Sequence, residues 1–238
     1  MMQRVGLWLL WIGLLIYSFG FAPSSQDGTM DLIVALSTFK WSGINPLVAA
    51  LFSIMGLWPM VYAAVLLVDG RGSTPDGATS LQSVPAWPFI VLSFGLGAFA
   101  LLPYLGLRRD KPRFSGPESD LIRLTESGGL AWLLLLSGAG LLLFGLIGGN
   151  WADFVAQWQT SRFIHVMSLD FCILSLLFVV LLPDDIARRQ MEQGWLWGLI
   201  AFIPFLGPGL YLCWRSPLVD VNNPAVDLDG EPIVSPEA

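Results

Sequence analysis

Apolar residues run along this chain in six long, nearly unbroken stretches, at residues 5–22, 46–68, 87–107, 128–148, 163–182 and 195–214. Each approaches the ~20 residues that a helix needs to cross the hydrocarbon core of a bilayer. None alternates with period two as barrel strands do, so helices are expected throughout. The pattern predicts an all-α, polytopic integral membrane helix bundle of about six transmembrane helices, filling residues 1–215.

Three shorter segments carry a helical period without the length to span. Trp151, Phe154, Val155 and Trp158 fall on one face behind Asn150, a fitting N-cap, with Asp153 in the first turn. Leu32, Ala35, Leu36 and Phe39 repeat that spacing, and residues 119–127 follow it after Pro117. All three are expected as interfacial helices. The first span, with Arg4 ahead of it, has the outline of a signal peptide. Its length and the Pro23 that would follow a cut after Ala22 predict a retained helix instead. Residues 216–238 hold four prolines, five acids and no Lys or Arg, which predicts a disordered acidic tail.

Composition sharpens this picture. Of 238 residues, 55% are hydrophobic and only 13% charged, with a mean hydropathy of +0.67, too little polar surface to cover a soluble globule. The 11 Trp and 25 Gly suit membrane helices. A net charge of −6 offers no basic footprint for nucleic acid. Cys172 and Cys213 lie in apolar runs and make no disulfide framework. With six spans, 8 of the 12 Lys and Arg fall in alternate loops on one side and 4 on the other, so both termini are expected on the non-cytoplasmic side.

Candidate chemistry is sparse. One histidine in the chain excludes a His-based metal cluster, so no metal site is expected. Gly95-Leu96-Gly97 sits within a span and reads as helix packing. Asp170 stands out, about seven residues or ~10 Å inside the fifth span. A carboxylate there costs a few kcal/mol and needs a partner. The bend Gly207-Pro208-Gly209 in the sixth span could unwind and offer it backbone N–H groups. His165, Ser168, Cys172 and Ser175 form a second polar stripe about 140° away, read as helix packing, with His165 near the interface. Asp184-Asp185 followed by Arg188-Arg189 is expected as a solvated ion-pair turn. An internal echo links Val65–Arg71 with Val180–Asp184, and Leu102–Arg108 with Phe205–Tyr211 and Arg215 beyond. As two three-span halves these would have opposite orientations.

The strings Leu169-Asp170-Phe171, Asp184-Asp185…Arg188-Arg189 and Pro204-Phe205-Leu206-Gly207-Pro208-Gly209-Leu210-Tyr211…Arg215 resemble the terminal hairpin of neoxanthin-synthase-like plastid membrane proteins. The last string is also similar to the membrane hairpin preceding phospholipase-D-type cardiolipin synthases. The Trp- and Gly-rich style looks like that of cyanobacterial or plastid-type multi-pass membrane proteins. About 50 residues are covered. The neoxanthin-type proteins have about four spans and leave the first half unmatched, and no His-x-Lys motif follows Arg215 here. The resemblance implies a pigment- or lipid-rich membrane, such as a bacterial inner membrane, a thylakoid or a plastid membrane, and no carotenoid reaction.

With neither metal ligands nor a nucleophile–base pair, the leading expectation is an accessory protein, not an enzyme, that assembles or stabilises a larger membrane complex, a photosynthetic one fitting the resemblance. The second is an isoprenoid- or lipid-binding membrane enzyme using Asp170 and the Gly207-Pro208-Gly209 bend, with His165 and Arg215 as further polar candidates. The third is a small secondary transporter. No cofactor is identified; a pigment or a lipid stays open as a ligand.

Overall fold

The computed structural model describes residues 2–73, 84–109, 113–114, 119–192 and 194–219. Within them the chain forms eleven α-helices: α1 (Met2–Ile16), extended by a wider turn (Tyr17–Phe21), α2 (Thr29–Ser37), α3 (Pro46–Leu66), α4 (Trp87–Leu96), α5 (Ala98–Leu107), α6 (Asp120–Glu126), α7 (Gly128–Gly148), α8 (Trp151–Thr160), α9 (Arg162–Arg188), α10 (Gly194–Ile200) and α11 (Leu206–Trp214). Gly72–Ser73 pairs antiparallel with Arg113–Phe114. Residues 216–219 have no regular structure, and the rest of the acidic tail, 220–238, lies outside the described residues.

Four helices are long and apolar enough to cross a membrane: Met2–Phe21, Pro46–Asp69, Gly128–Gly148 and Arg162–Arg188. The other two apolar stretches, 87–107 and 195–214, fold back on themselves. In a continuous helix Phe89 and Tyr104 would lie ~22 Å apart and Trp197 and Tyr211 ~21 Å apart. Their ring centroids are instead 5.4 Å and 5.5 Å apart. Each stretch is thus a pair of antiparallel helices, α4–α5 and α10–α11. The expectation of six spans fails here because hydropathy measures an apolar run without sensing a reversal within it. The reversals are backbone events: Gly97 at φ +52° separates α4 from α5, and Phe205 at φ +60° precedes α11.

Both hairpins return to one end of the bundle. There the chain ends of α3, α5, α9 and α11 meet the start of α7 through Asp69, Arg108, Arg188, Arg215 and Glu126. α2 and α8 lie at the far end, where the Asn45 amide donates to Asn150 O at 2.8 Å and Asp153 Oδ2 at 2.7 Å. The expected short helices are present. Ser119 caps α6, and Asn150 accepts from Asp153 N at 3.1 Å. α8 turns Phe154 and Trp158 onto the bundle and leaves Trp151 and Val155 exposed.

The halves repeat one plan: a long helix, a short connecting helix, a second long helix, then a hairpin. α1–α5 follow it and α7–α11 follow it again. In each, the returning arm of the hairpin packs on the first long helix, α5 on α1 and α11 on α7. Its last turn carries Tyr-x-x-x-Arg, and the Tyr donates to an Asp at the end of the second long helix: Tyr104 to Asp69 at 2.8 Å, Tyr211 to Asp185 at 2.6 Å. The structural repeat runs in a different register from the sequence echo, which sets Asp69 against Asp184, whereas the residue that corresponds to it here is Asp185. Because a hairpin does not cross, the halves point the same way, against the opposed orientation that three spans each would impose. Phe205 shows how close the join between them is. Its ring sits 5.3 Å from that of Trp58 on α3 and fills the space over Gly138 on α7, where any Cβ would collide with it.

Candidate functional site

Among the described residues, the charged end joins four guanidinium groups to four carboxylates. Arg108 holds Asp69 by two parallel bonds, Nε to Oδ2 at 2.9 Å and Nη2 to Oδ1 at 3.0 Å. Arg188 adds Nη2 to Asp69 Oδ1 at 2.5 Å, and Arg108 also reaches Asp184 at 2.6 Å. Beside it, Arg189 joins Asp185 at 2.9 Å to Glu126 at 2.8 Å, and Arg215 closes on Glu126 at 2.7 Å. Asp69, Asp185, Arg188 and Arg189 are buried, so the solvated turn expected at 184–189 is instead a desolvated knot. Burial alone would draw the Arg108 guanidinium down, but Asp69 and Asp184 hold it above its ordinary value. Arg215 runs the other way: burial and the neighbouring Arg189 charge lower it against the pull of Asp185. Each guanidinium and carboxylate here is turned to a partner, so the network ties helices together and offers no reactive group.

Asp170 occupies a different place. It is buried eight residues into α9, about 12 Å along the helix from Arg162. Its Oδ1 accepts from the backbone N–H of Ala98 at 2.8 Å, the first residue of α5. The fold-back at Gly97 frees that N–H, which a continuous helix would have bonded internally. Asp170 thus finds backbone donors at an interrupted helix, as expected, but at the tip of the first hairpin and not at residues 207–209. Those three are buried at the start of α11: Gly207 lies against Ile200 O of its own hairpin and Gly209 against Leu135 of α7. The Oδ2 of Asp170 lies over Gly97, which has no Cβ to displace it, and has no donor among the described residues.

A cavity of about 890 Å³ reaches from α2 at the far end to this hairpin tip. Its wall is mainly apolar, with Phe19, Phe52, Met55, Phe94, Phe99 and Phe163 among its side chains. Polar groups are few: Ser18, Ser53, Ser93 and Asp170 around it and Ser37 and Arg162 towards the α2 end. Ser53 and Ser93 donate to carbonyls of their own helices, Ala49 O at 2.8 Å and Ile90 O at 2.7 Å. The Ser18 hydroxyl is buried and has no hydrogen-bond partner among the described residues. Trp11 Nε1 donates to Phe99 O at 3.0 Å and pins the hairpin tip to α1.

The remaining candidates are structural. His165 is buried, its ring stacked 4.2 Å from that of Trp158. Its Nδ1 lies 2.9 Å from Trp158 O, a pure acceptor, so Nδ1 carries the proton and Nε2 accepts from the Tyr17 hydroxyl at 2.9 Å. Both ring nitrogens are used in joining α1, α8 and α9. Ser168 and Ser175 bond back to Ile164 O and Phe171 O, and Cys172 is an exposed free thiol. Arg215 belongs to the charged knot.

Sequence reasoning passed over Asp69, Tyr104, Arg108 and Tyr211 because each read as an ordinary boundary residue. The signal that could have found them is Tyr-x-x-x-Arg recurring at the ends of both hairpins. No family model, curated protein or solved structure matches this chain.

Proposed function

We propose that this is an integral membrane protein that takes up an apolar or amphiphilic small molecule in the cavity at the α4–α5 hairpin tip. The carrying observation is the cavity itself, with a largely apolar wall and an incompletely bonded carboxylate at one end. A pocket of several hundred Å³ with few, placed polar groups suits a small ligand. A buried ionisable group between membrane helices marks such sites. Of the roles expected from the sequence, binding of a lipid- or isoprenoid-class molecule fits this geometry best, with the α4–α5 tip in the place assigned to residues 207–209.

The test compares wild type with Gly56→Phe and Gly95→Phe. Both glycines line the cavity, and a Cβ on either meets no atom within 4 Å, so the rings grow into empty space. Protein extracted gently from its membrane should carry a bound organic molecule, identified by mass spectrometry, that both variants lose while melting as wild type does. Wild type and variants carrying the same bilayer phospholipids in bulk proportion would defeat the proposal. A larger complex retained by both would favour the assembly role in its place.

We also propose that both termini face the cytoplasm. With hairpins in place of two spans, residues 70, 86, 108 and 119 all lie at the charged end, where α1 starts and α11 finishes. Of the 12 Lys and Arg, only Lys40 and Arg162 then fall at the far end. The positive-inside rule puts the other ten in the cytoplasm, reversing the orientation reached with six spans. In a chain with Cys172 and Cys213 replaced by alanine, Ser25→Cys should react with an impermeant maleimide on intact cells. A cysteine appended after Ala238 should react only after lysis, and the opposite pattern would invert the topology.

A further inference from the structure

From the hydrogen-bond state of the groups around the cavity, we infer that its ligand is an amphiphile seated with a hydrogen-bond-donating end, a hydroxyl or an amine, on Asp170. This rests on the reading of the cavity as a ligand site and names the class of ligand. Ser53 and Ser93 have committed their protons to helix carbonyls, so towards the cavity they present lone pairs. Asp170 uses Oδ1 on Ala98 N, and no described donor reaches Oδ2. Trp11, the other polar side chain near the hairpin tip, has its one N–H on Phe99 O. The Ser18 hydroxyl, buried with no partner among the described residues, can donate or accept and adapts to what enters. With Asp170 ionised, the wall around the hairpin tip therefore offers acceptors almost alone.

A buried acceptor left bare is costly, and more so beside a charged group. A ligand end with only lone pairs, such as a ketone, ester or ether, would face Oδ2 with like polarity. A hydroxyl or an amine would bond to it. The apolar body of the ligand then lies among Phe52, Phe94, Phe99 and Phe163 towards the α2 end. Arg162, about 12 Å along α9 from Asp170, stands too far away to meet the same polar group.

The experiment uses the full chain in lipid nanodiscs, with radiolabelled dodecan-1-ol as probe and dodecan-1-ol, dodecylamine, dodecan-2-one and dodecane as competitors. Dodecanol or dodecylamine should compete at concentrations about tenfold or more below those of the ketone and the alkane, the ratio expected for one bond to a buried carboxylate. Whichever of the two competes at lower concentration assigns the donor as neutral or cationic. Asp170→Asn keeps an oxygen for Ala98 N and turns an NH2 to the cavity, to which a ketone or an alcohol oxygen can accept, so the alcohol should lose its advantage over the ketone. A ketone equal to the alcohol on wild type, or an undiminished advantage of the alcohol in Asp170→Asn, overturns the inference. If Asp170→Asn does not fold, the wild-type order alone decides. Gly56→Phe separates the two levels: probe binding undiminished in that variant defeats the cavity reading, whereas binding lost there with ketone equal to alcohol defeats only the donor-end inference.

Discussion

Asp69→Ala should destabilise the protein by about 3–5 kcal/mol, the usual result of removing one partner from a buried ionic cluster. Asp69 is fully buried and accepts from Tyr104, twice from Arg108 and once from Arg188. These residues come from the first hairpin and from α9, so a single carboxylate ties both halves of the fold to the end of α3. Alanine takes from Arg188, which is buried, the carboxylate that it meets at 2.5 Å. Arg108 keeps Asp184 at 2.6 Å and suffers less. The charge, more than the hydrogen bonds, is what fails, because one of the buried anions among the described residues is lost. Asp69→Leu combined with Arg188→Met should therefore recover more than half the loss, since replacing both partners by apolar groups is far milder than removing one. Thermal unfolding in detergent, followed by size-exclusion chromatography, reads both variants. A melting curve for Asp69→Ala within about 0.5 kcal/mol of wild type, the scale of a neutral surface change, would show that the knot does not hold the bundle.

How far the fold could be read from sequence follows from which forces act locally. The four long helices, the Asn150 cap of α8 and the inward Leu36 of α2 are consequences of period and capping chemistry, and both are local. The hairpins are not. Trp87–Leu107 contains Pro103 within α5 and Gly97 at its reversal, yet proline and glycine are common in membrane helices that do cross. The reversal at Gly97 is met by a partner 72 residues from Ala98, the Asp170 carboxylate that accepts its freed N–H. Depth and apolar surroundings made Asp170 stand out, and an interrupted helix was the right kind of partner for it. Choosing between Gly97 and the more conspicuous Gly-Pro-Gly needed the third dimension. Orientation depends on the same point, since a fold-back counted as a crossing reverses the parity of every loop up to the next fold-back.

Gly97→Ala should be the most damaging change near the cavity. At φ +52° and ψ −127° Gly97 occupies backbone space that a side chain enters at a cost of about 1–3 kcal/mol. A Cβ there would also overlap the Asp170 carboxylate, so the bond to Ala98 and the reversal cannot both survive. Gly95→Ala is the control: it lies on the same cavity, in helical backbone, with no atom near its Cβ, and helix propensity makes it neutral or slightly stabilising. The expected result is a Gly97→Ala protein that melts well below both Gly95→Ala and wild type and no longer holds dodecanol. Asp170→Ala breaks the same bond from the other side. Adding it to Gly97→Ala should cost less than the two single losses together, because the overlap disappears with the carboxylate and the bond can be lost only once. Strictly additive losses would mean that the hairpin tip is set by α1, through Trp11 and Phe99, and that Asp170 is present for the ligand alone. A sub-additive cycle would mean that one carboxylate both holds the tip, through Oδ1, and faces the ligand, through Oδ2. Any ligand that competes for that carboxylate would then act directly on the anchor of the hairpin.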